Sequence, residues 1–197
     1  MFRIVTIGLF ALLAAACAGT RDTRVDPDAP DTVTGTGLQS QDIDTIASRM
    51  AADIKATGVL APSRDGTPAS FYIAPLVNES SDTINGSLIP TRIRTEVYRA
   101  FGRQVRIIDR APEANDRVDA ERRMKDLGQV SGSNDRKVSG SDFVLKGRIQ
   151  SRDRQAGKLR SSFIVVTLEL TDLVTGDLVW TNDYQMKTES EKSVINR

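Results

Sequence analysis

Three consecutive segments rich in strand-forming residues occupy the last third of the chain and restrict its fold more than any other feature. They cover residues 142–151, 161–172 and 178–187 of the 197 residues. Thr175-Gly176-Asp177 predicts a tight turn between the last two segments, and Arg152–Arg160 predicts a longer loop between the first two. Because short connections join antiparallel strands, the segments predict a C-terminal antiparallel meander.

A helix and a strand are predicted at the start of the folded part. Apolar residues at helical spacing predict a helix that Ser40 caps and Gly58 ends; they are Ile43, Ile46, Ala47, Met50, Ala51 and Ile54. A strand is expected over residues 70–77, and Pro75 places its end at a sheet edge or in a bend.

Two more helices and a short strand precede the meander. Ser87 is expected to cap a second helix that Gly102 ends. A strand over 104–109 and a charged surface helix over 113–127 follow. The order α, β, α, β, α, β, β, β predicts an α+β fold: a layered α/β domain with one mixed sheet of about five strands. In this sheet the early strands, joined through helices, can lie parallel.

The N-terminus has the layout of a secretory signal. One positive charge at Arg3 precedes the apolar run 4–16, and three alanines precede Cys17. The run is shorter than the roughly 20 residues that span a bilayer. We predict a lipoprotein signal peptide over 1–16 and lipid attachment at Cys17. An ordinary signal peptide with an incidental cysteine is the alternative, but a lone cysteine in an exported chain then needs a separate explanation.

A polar segment separates Cys17 from the folded part. Residues 18–38 contain almost no large apolar side chain, so the lipidated cysteine and a flexible tether are expected over 17–38. Fully extended, such a tether reaches roughly 70 Å. The domain is predicted over 39–190 and a C-terminal tail over 191–197.

Charge and composition limit the chemistry that the chain can perform. Without Arg3, the 27 basic residues become 26 and balance the 26 acidic residues, which disfavours a strongly basic nucleic-acid binder. The chain has no histidine, so the usual zinc sites and Ser-His or Cys-His nucleophile pairs are excluded. Carboxylate chemistry and Ser-Lys pairs remain open. We expect no enzyme activity, no catalytic residue, no metal and no cofactor.

Two polar clusters are candidate partner-binding sites. The first is Asn78-Glu79-Ser80, between a strand and a helix, and the alternative for it is ordinary turn chemistry. The second contains Arg152, Arg154, Lys158 and Arg160, which could steer the protein onto an acidic partner surface. Its alternative is a solvated hairpin tip. Trp180 is expected in the core, with a binding anchor as the alternative.

Three passages together resemble the LpoB-type lipoprotein activators of bifunctional (class A) penicillin-binding proteins. They are residues 37–42 at the start of the first helix; Ile73–Ser80 followed by Ile93-Arg94-Thr95-Glu96; and Phe143–Ile149 followed by Leu168–Trp180. The resemblance covers about residues 38–188. It implies a fold like the N-terminal domain of TolB.

The resemblance also implies a location and a function. It implies a monomeric lipoprotein, anchored by lipid at the periplasmic face of the outer membrane, that docks on a peptidoglycan synthase and raises its activity without performing chemistry. The tether of about 20 residues is shorter than that of relatives that span the periplasm.

Two other functions stay open at this point. An envelope-assembly or secretion-associated lipoprotein with the same fold would oligomerise, and a carboxylate-dependent wall hydrolase would cleave peptidoglycan alone.

Overall fold

A computed structural model gives the structure of the chain and describes residues 22–32 and 35–191. Its elements are α1 (Ser40–Thr57), β1 (Ala69–Ile73), β2 (Val77–Glu79), α2 (Leu88–Phe101), β3 (Val105–Ile107), α3 (Pro112–Asp126), β4 (Phe143–Ala156), β5 (Leu159–Asp172) and β6 (Leu178–Glu191). The predicted signal peptide and Cys17 lie outside the described residues.

The strands form one mixed sheet in the order β3-β1-β4-β5-β6, with β2 alongside β4. β1 is parallel to β3 and β4, and β2 is parallel to β4. β4, β5 and β6 form an antiparallel meander. The α+β fold, the mixed sheet and the C-terminal meander are therefore confirmed, with six strands in place of about five.

The sixth strand arises because the predicted strand 70–77 divides at Pro75. β1 ends at Ile73 beside Leu145, and β2 begins at Val77 beside Arg148. From Ile73 to Val77 the β1–β2 segment advances four residues, whereas β4 advances only three, from Leu145 to Arg148. One residue of the β1–β2 segment therefore has no partner in the ladder. Proline has no N–H to donate, which makes this the natural place for the break.

The core lies between one face of the sheet and the helices α1 and α2. Apolar side chains of both helices meet alternate residues of β1, β4 and β5, as expected for strands with one buried face. The largest fully buried ones include Ile46, Met50, Ile54, Ile93, Phe71, Leu145, Ile149, Leu168 and Leu170. The opposite face of β4, β5 and β6, which points away from α1 and α2, is called the open face below.

Helix α1 begins with contacts that reach back into the preceding segment. Ser40 is its first residue and not its cap, contrary to the prediction, and Asp42 accepts a hydrogen bond from the Gln39 N–H at 2.9 Å. Ser40 donates its N–H and hydroxyl to Asp31, at 2.9 and 2.7 Å. Gln41 donates its side-chain amide to the carbonyl of Ala29 at 2.7 Å. Ala29 and Asp31 are therefore held against α1.

The other helix boundaries agree with the sequence patterns. Ser87 occupies the N-cap position of α2, but its side chain makes no capping hydrogen bond and donates to Asn85 instead, contrary to the predicted cap; Gly102 follows the last residue of the helix. The charged helix α3 has no buried residue. It lies beside β3, because Ala114 and Val118 line one cavity together with Ile107.

Candidate functional site

The predicted loop 152–160 is wrong, because these residues form the end of a long hairpin. β4 continues to Ala156, and β5 begins at Leu159 after the two-residue turn Gly157-Lys158. Gly157 has φ +59°, which a tight hairpin turn requires. Arginine, aspartate and glutamine have modest strand preference, so the segment resembles a loop by composition. Residues 152–156 of this segment are nevertheless all paired with β5, up to the turn.

The hairpin separates the predicted basic cluster between two faces. Arg152 and Arg154 lie two residues apart on β4 and share the open face, whereas Arg160 pairs with Gln155 on the opposite face. Lys158 lies in the turn. The structure therefore brings two of the four predicted cations together on one surface.

The open face adds two cations that the sequence reasoning missed. Lys146 and Arg148 occupy the same alternating positions of β4 as Arg152 and Arg154, and all four side chains are exposed. A period of two counted back from Arg152 would have found them, but the boundary expected at residue 151 hid this continuity. The four residues are called the basic stripe below.

Among the residues that the structure describes, most of the basic stripe forms no salt bridge. Lys146 lies 3.6 Å from Glu169, and Lys187 on β6 pairs with Glu189 at 2.8 Å. Within 22–32 and 35–191, no ion pair involves Arg148, Arg152 or Arg154. The stripe therefore presents a net positive charge to solvent.

Apolar side chains lie beside the basic stripe. Phe163 on β5 pairs with Arg152 and is 37% exposed. Leu159 is 57% exposed at the hairpin end, and Val77, beside Arg148 on β2, is 58% exposed. Exposed apolar groups within a charged rim are typical of partner-binding surfaces.

The Asn78-Glu79-Ser80 segment lies next to the basic stripe and is partly a strand, so the alternative of ordinary turn chemistry describes only part of it. Asn78 and Glu79 belong to β2, and Glu79 accepts a hydrogen bond from Gln150 on β4 at 2.9 Å. The side-chain oxygen of Asn78 accepts from the Ser80 N–H and hydroxyl, at 3.0 and 2.6 Å. Asn78 and Ser80 thus stabilise the local turn, while Glu79 reaches the open face.

A cluster of hydroxyl groups fixes the hairpin to the segment after β2. Asp153 accepts hydrogen bonds from Ser81 at 2.7 Å and Ser151 at 2.9 Å. Together with Ser162, whose hydroxyl has the largest effect, they hold the pKa of Asp153 below its usual value. The ionised carboxylate therefore orders the strand that carries Arg152 and Arg154.

The segment before α1 reaches the same end of the sheet. Leu38 donates its N–H to Asp82 at 2.8 Å, and Asp82 lies shortly after β2. Thr36 lines a shallow cavity of about 370 Å³ with Ser81, Arg154 and Arg160. A partner at the basic stripe would therefore also lie near the start of the folded part.

Trp180 belongs to the core, as the sequence pattern predicts. It is 6% exposed and its indole N–H donates to Asp53 of α1 at 2.7 Å. Tyr184 lies four residues further along β6 and donates its hydroxyl to Asp42 at 3.0 Å. Burial and the Asp42 carboxylate raise the pKa of Tyr184. These bonds attach the outer strand β6 to α1.

The described residues contain neither a membrane-spanning helix nor a group of metal ligands. No helix over 22–32 and 35–191 is long and apolar enough to cross a membrane. Over the same ranges, no three cysteine, aspartate or glutamate side chains are grouped as metal ligands would be.

Comparisons with known proteins give one family. The family model described as peptidoglycan-synthase activator LpoB matches residues 42–186. A search of curated proteins gave no match. Among solved structures, the C-terminal domain of LpoB from Escherichia coli is 12% identical, with 74% of this chain and 98% of that chain covered and a TM-score of 0.44.

Two further solved structures are similar at the same level. A lipoprotein from Neisseria meningitidis is 18% identical, with 65% of this chain and 88% of that chain covered and a TM-score of 0.41. The PelC dodecamer from Paraburkholderia phytofirmans is 20% identical, with 61% and 71% covered and a TM-score of 0.33.

Proposed function

Because this chain belongs to the LpoB family of peptidoglycan-synthase activators, we propose that it binds a bifunctional (class A) penicillin-binding protein and raises its glycan polymerisation and peptide cross-linking. The family match over residues 42–186, which includes the whole sheet apart from the end of β6, carries this proposal. The protein acts by binding as a monomer and contributes no catalytic group or cofactor.

The docking surface in this proposal is the hairpin end of the open face. Of the predicted contact residues, Glu79, Arg152 and Arg154 lie on this face with the rest of the basic stripe. Lys158 lies in the adjoining turn, and Asn78 and Ser80 stabilise the neighbouring turn. Arg160 lies on the opposite face and is not part of the surface. Arg152 and Arg154, which form no salt bridge with any described residue, lie beside the exposed Phe163 and support this surface, because arginine and aromatic side chains are enriched at protein interfaces. The net positive charge of the stripe favours an acidic patch on the synthase.

The proposed anchor restricts where the synthase can lie. In the proposal, lipid on Cys17 holds the chain at the periplasmic face of the outer membrane. Only twelve residue steps separate position 17 from Ala29, which contacts α1. At 3.3 to 3.6 Å per residue, these twelve steps reach about 40–43 Å when fully extended, less than the roughly 70 Å of the whole segment 17–38. The synthase must therefore present its docking surface close to that membrane.

A binding and activity experiment tests the proposal. The full chain in detergent would be mixed with each class A penicillin-binding protein of the organism, and both capture and glycan polymerisation would be measured. We expect one synthase to be captured and stimulated. Absence of capture and stimulation with all of them would refute the proposed function.

Charge reversal tests the docking surface separately. We expect the double variant Arg152→Glu/Arg154→Glu to weaken capture by about 10-fold or more at low salt, since rim charges mainly govern association. The matched control is Arg117→Glu/Arg123→Glu, which changes the net charge equally on exposed positions of α3. Equal losses in both variants, or none in either, would reject the basic stripe while leaving the function standing.

Light scattering separates the proposal from its main alternative. An envelope-assembly lipoprotein that works as a ring would give a multimer in detergent, after subtraction of the micelle mass. The activator is expected to give a single chain per particle, and a defined multimer would favour the alternative.

A further inference from the structure

A second concave site lies away from the open face, where β1 ends. β1 lies between β3 and β4, and the chain leaves its carboxyl end through Ala74 and Pro75. A cavity of about 310 Å³ opens there, between the first turns of α2 and α3. This volume is at the lower end of the range for small-molecule sites, so it suits one small group.

Two arginines line this cavity, one from each side. Arg94 comes from α2, and Arg110 lies just before α3. Tyr72, Ile73, Pro75 and Pro90 add an apolar wall, and Ser87 and Thr91 add hydroxyls. The combination of guanidinium groups with an apolar wall suits an anionic group on a short carbon stem.

The Arg94 guanidinium lacks an acceptor among the described residues. Its Nε atom is shielded from solvent and has no hydrogen-bond partner, and no ion pair includes Arg94. Burial of a donor without an acceptor is unfavourable, and such donors are rare in folded proteins. Arg110 gives one hydrogen bond, at 2.7 Å, to the carbonyl of Ser139 and retains further donors.

The helices beside the cavity increase its preference for negative charge. No side chain caps the N-terminus of α2 or of α3, and α2 has no acidic residue in its first turn. Pro90 and Pro112 have no N–H, and most other N–H groups of these first turns bond to backbone carbonyls, so the helix dipole is the contribution that favours an anion here. Glu113 also lines the cavity, but no ion pair joins it to Arg94 or Arg110.

We propose that the cavity at the carboxyl end of β1 binds a carboxylate through Arg94 and Arg110. A planar carboxylate matches the fork of donors on a guanidinium better than a spherical ion does. The carboxylate can belong to a free small molecule or to an acidic side chain of a protein. The site does not depend on the synthase proposal, because it lies on different elements from the basic stripe.

Nuclear magnetic resonance of the arginine Nε–H groups tests the site directly. The full chain in detergent would be titrated with acetate and with N-acetyl-glutamate N-methylamide. N-acetyl-glutamine N-methylamide has the same shape without the charge and serves as the matched probe. We expect the glutamate probe to shift the Arg94 Nε–H signal and to bind about 10- to 100-fold more tightly than the glutamine probe.

Variants provide the controls. Arg94→Gln and Arg110→Gln should each abolish or strongly weaken binding of the glutamate probe. If one of these two variants fails to fold, the other still tests the proposal. Arg103→Gln removes an exposed arginine outside the cavity and should leave binding unchanged. Equal binding of the two amide probes, or unchanged binding in both cavity variants, would overturn the proposal.

The remaining comparisons identify the source of the carboxylate and exclude an internal one. Tighter binding of the glutamate probe than of acetate supports a protein side chain, and equal binding supports a free small carboxylate. If Glu113→Gln shifted the Arg94 Nε–H signal of the unliganded protein as strongly as the probe does, Glu113 would already occupy the site and the proposal would fail.

Discussion

Gly147 lies where β5 leaves no room for a side chain on β4, and replacing it with alanine should destabilise the domain. It belongs to the helix-facing positions of β4, between the fully buried Leu145 and Ile149, and it pairs with Leu168 of β5. A Cβ atom at this position would lie 2.4 Å from the carbonyl oxygen of Thr167 and 2.6 Å from a methyl group of Leu168. Both distances are shorter than a van der Waals contact.

The size of the effect follows from two opposing contributions. Overpacking a core position costs about 1–3 kcal/mol, and the upper end applies because one of the crowded atoms belongs to the backbone of a paired strand. Alanine recovers up to about 1 kcal/mol that glycine loses in conformational entropy. The net loss for Gly147→Ala is about 2 kcal/mol, which lowers the melting temperature by about 4–8 °C for a domain of this size.

Thermal unfolding and urea unfolding of the full chain in detergent, followed by circular dichroism, measure this loss. Gly140→Ala is the matched control, since no atom lies within 4 Å of the position of its Cβ and its φ is not positive. The control should be neutral or stabilised by up to about 1 kcal/mol. If Gly147→Ala melted within about 1 °C of the control, the close approach of β4 and β5 would be incorrect.

Three further perturbations test other parts of the structure. Trp180→Phe removes the hydrogen bond to Asp53 and should cost about 1–3 kcal/mol in urea unfolding, and a midpoint equal to that of the unchanged chain would contradict this contact. The hydroxyl of Ser63 holds the pKa of Asp65 at about 2, below 3.8, so its stabilisation is complete above pH 4 and is lost as the pH falls towards 2. Asp65→Asn should therefore flatten the dependence of the melting temperature on pH in that interval, and an unchanged slope would reject the assignment. Gly157→Ala forces a side chain into a turn with φ +59° and should cost about 1–2 kcal/mol, measured by urea unfolding; a neutral result would mean that the two-residue turn is wrong.

Local patterns in the sequence determined most of the elements. The apolar spacing over Ile43–Ile54 and the glycine at position 58 fixed α1, because a helix buries a stripe that recurs every 3.6 residues and often ends at glycine. The strand composition of the last third fixed the meander. The resemblance to the LpoB-type activators agreed with the match to the family over 42–186.

The candidate site was less accessible to sequence reasoning, for a physical reason. Strand preference depends on what a side chain packs against, so Arg152 and Arg154 resembled loop residues until their pairing with β5 was known. Their common face with Lys146 and Arg148 follows from the continuous ladder. Composition could therefore locate positive charge but could not place it on one surface.

Only the tertiary structure placed segments that are distant in sequence next to one another. The insertion of β1 between β3 and β4 makes the cavity that Arg94 and Arg110 line, and residues 16 positions apart meet there. The hydrogen bonds from Ser40 to Asp31 also fix where the tether becomes part of the fold. Periodicity is a local property of the chain, whereas strand order depends on which pairings bury the most apolar surface. The sequence by itself therefore located the helices and most of the strands and predicts the lipid anchor, whereas the packing of the sheet decided which side chains form a surface.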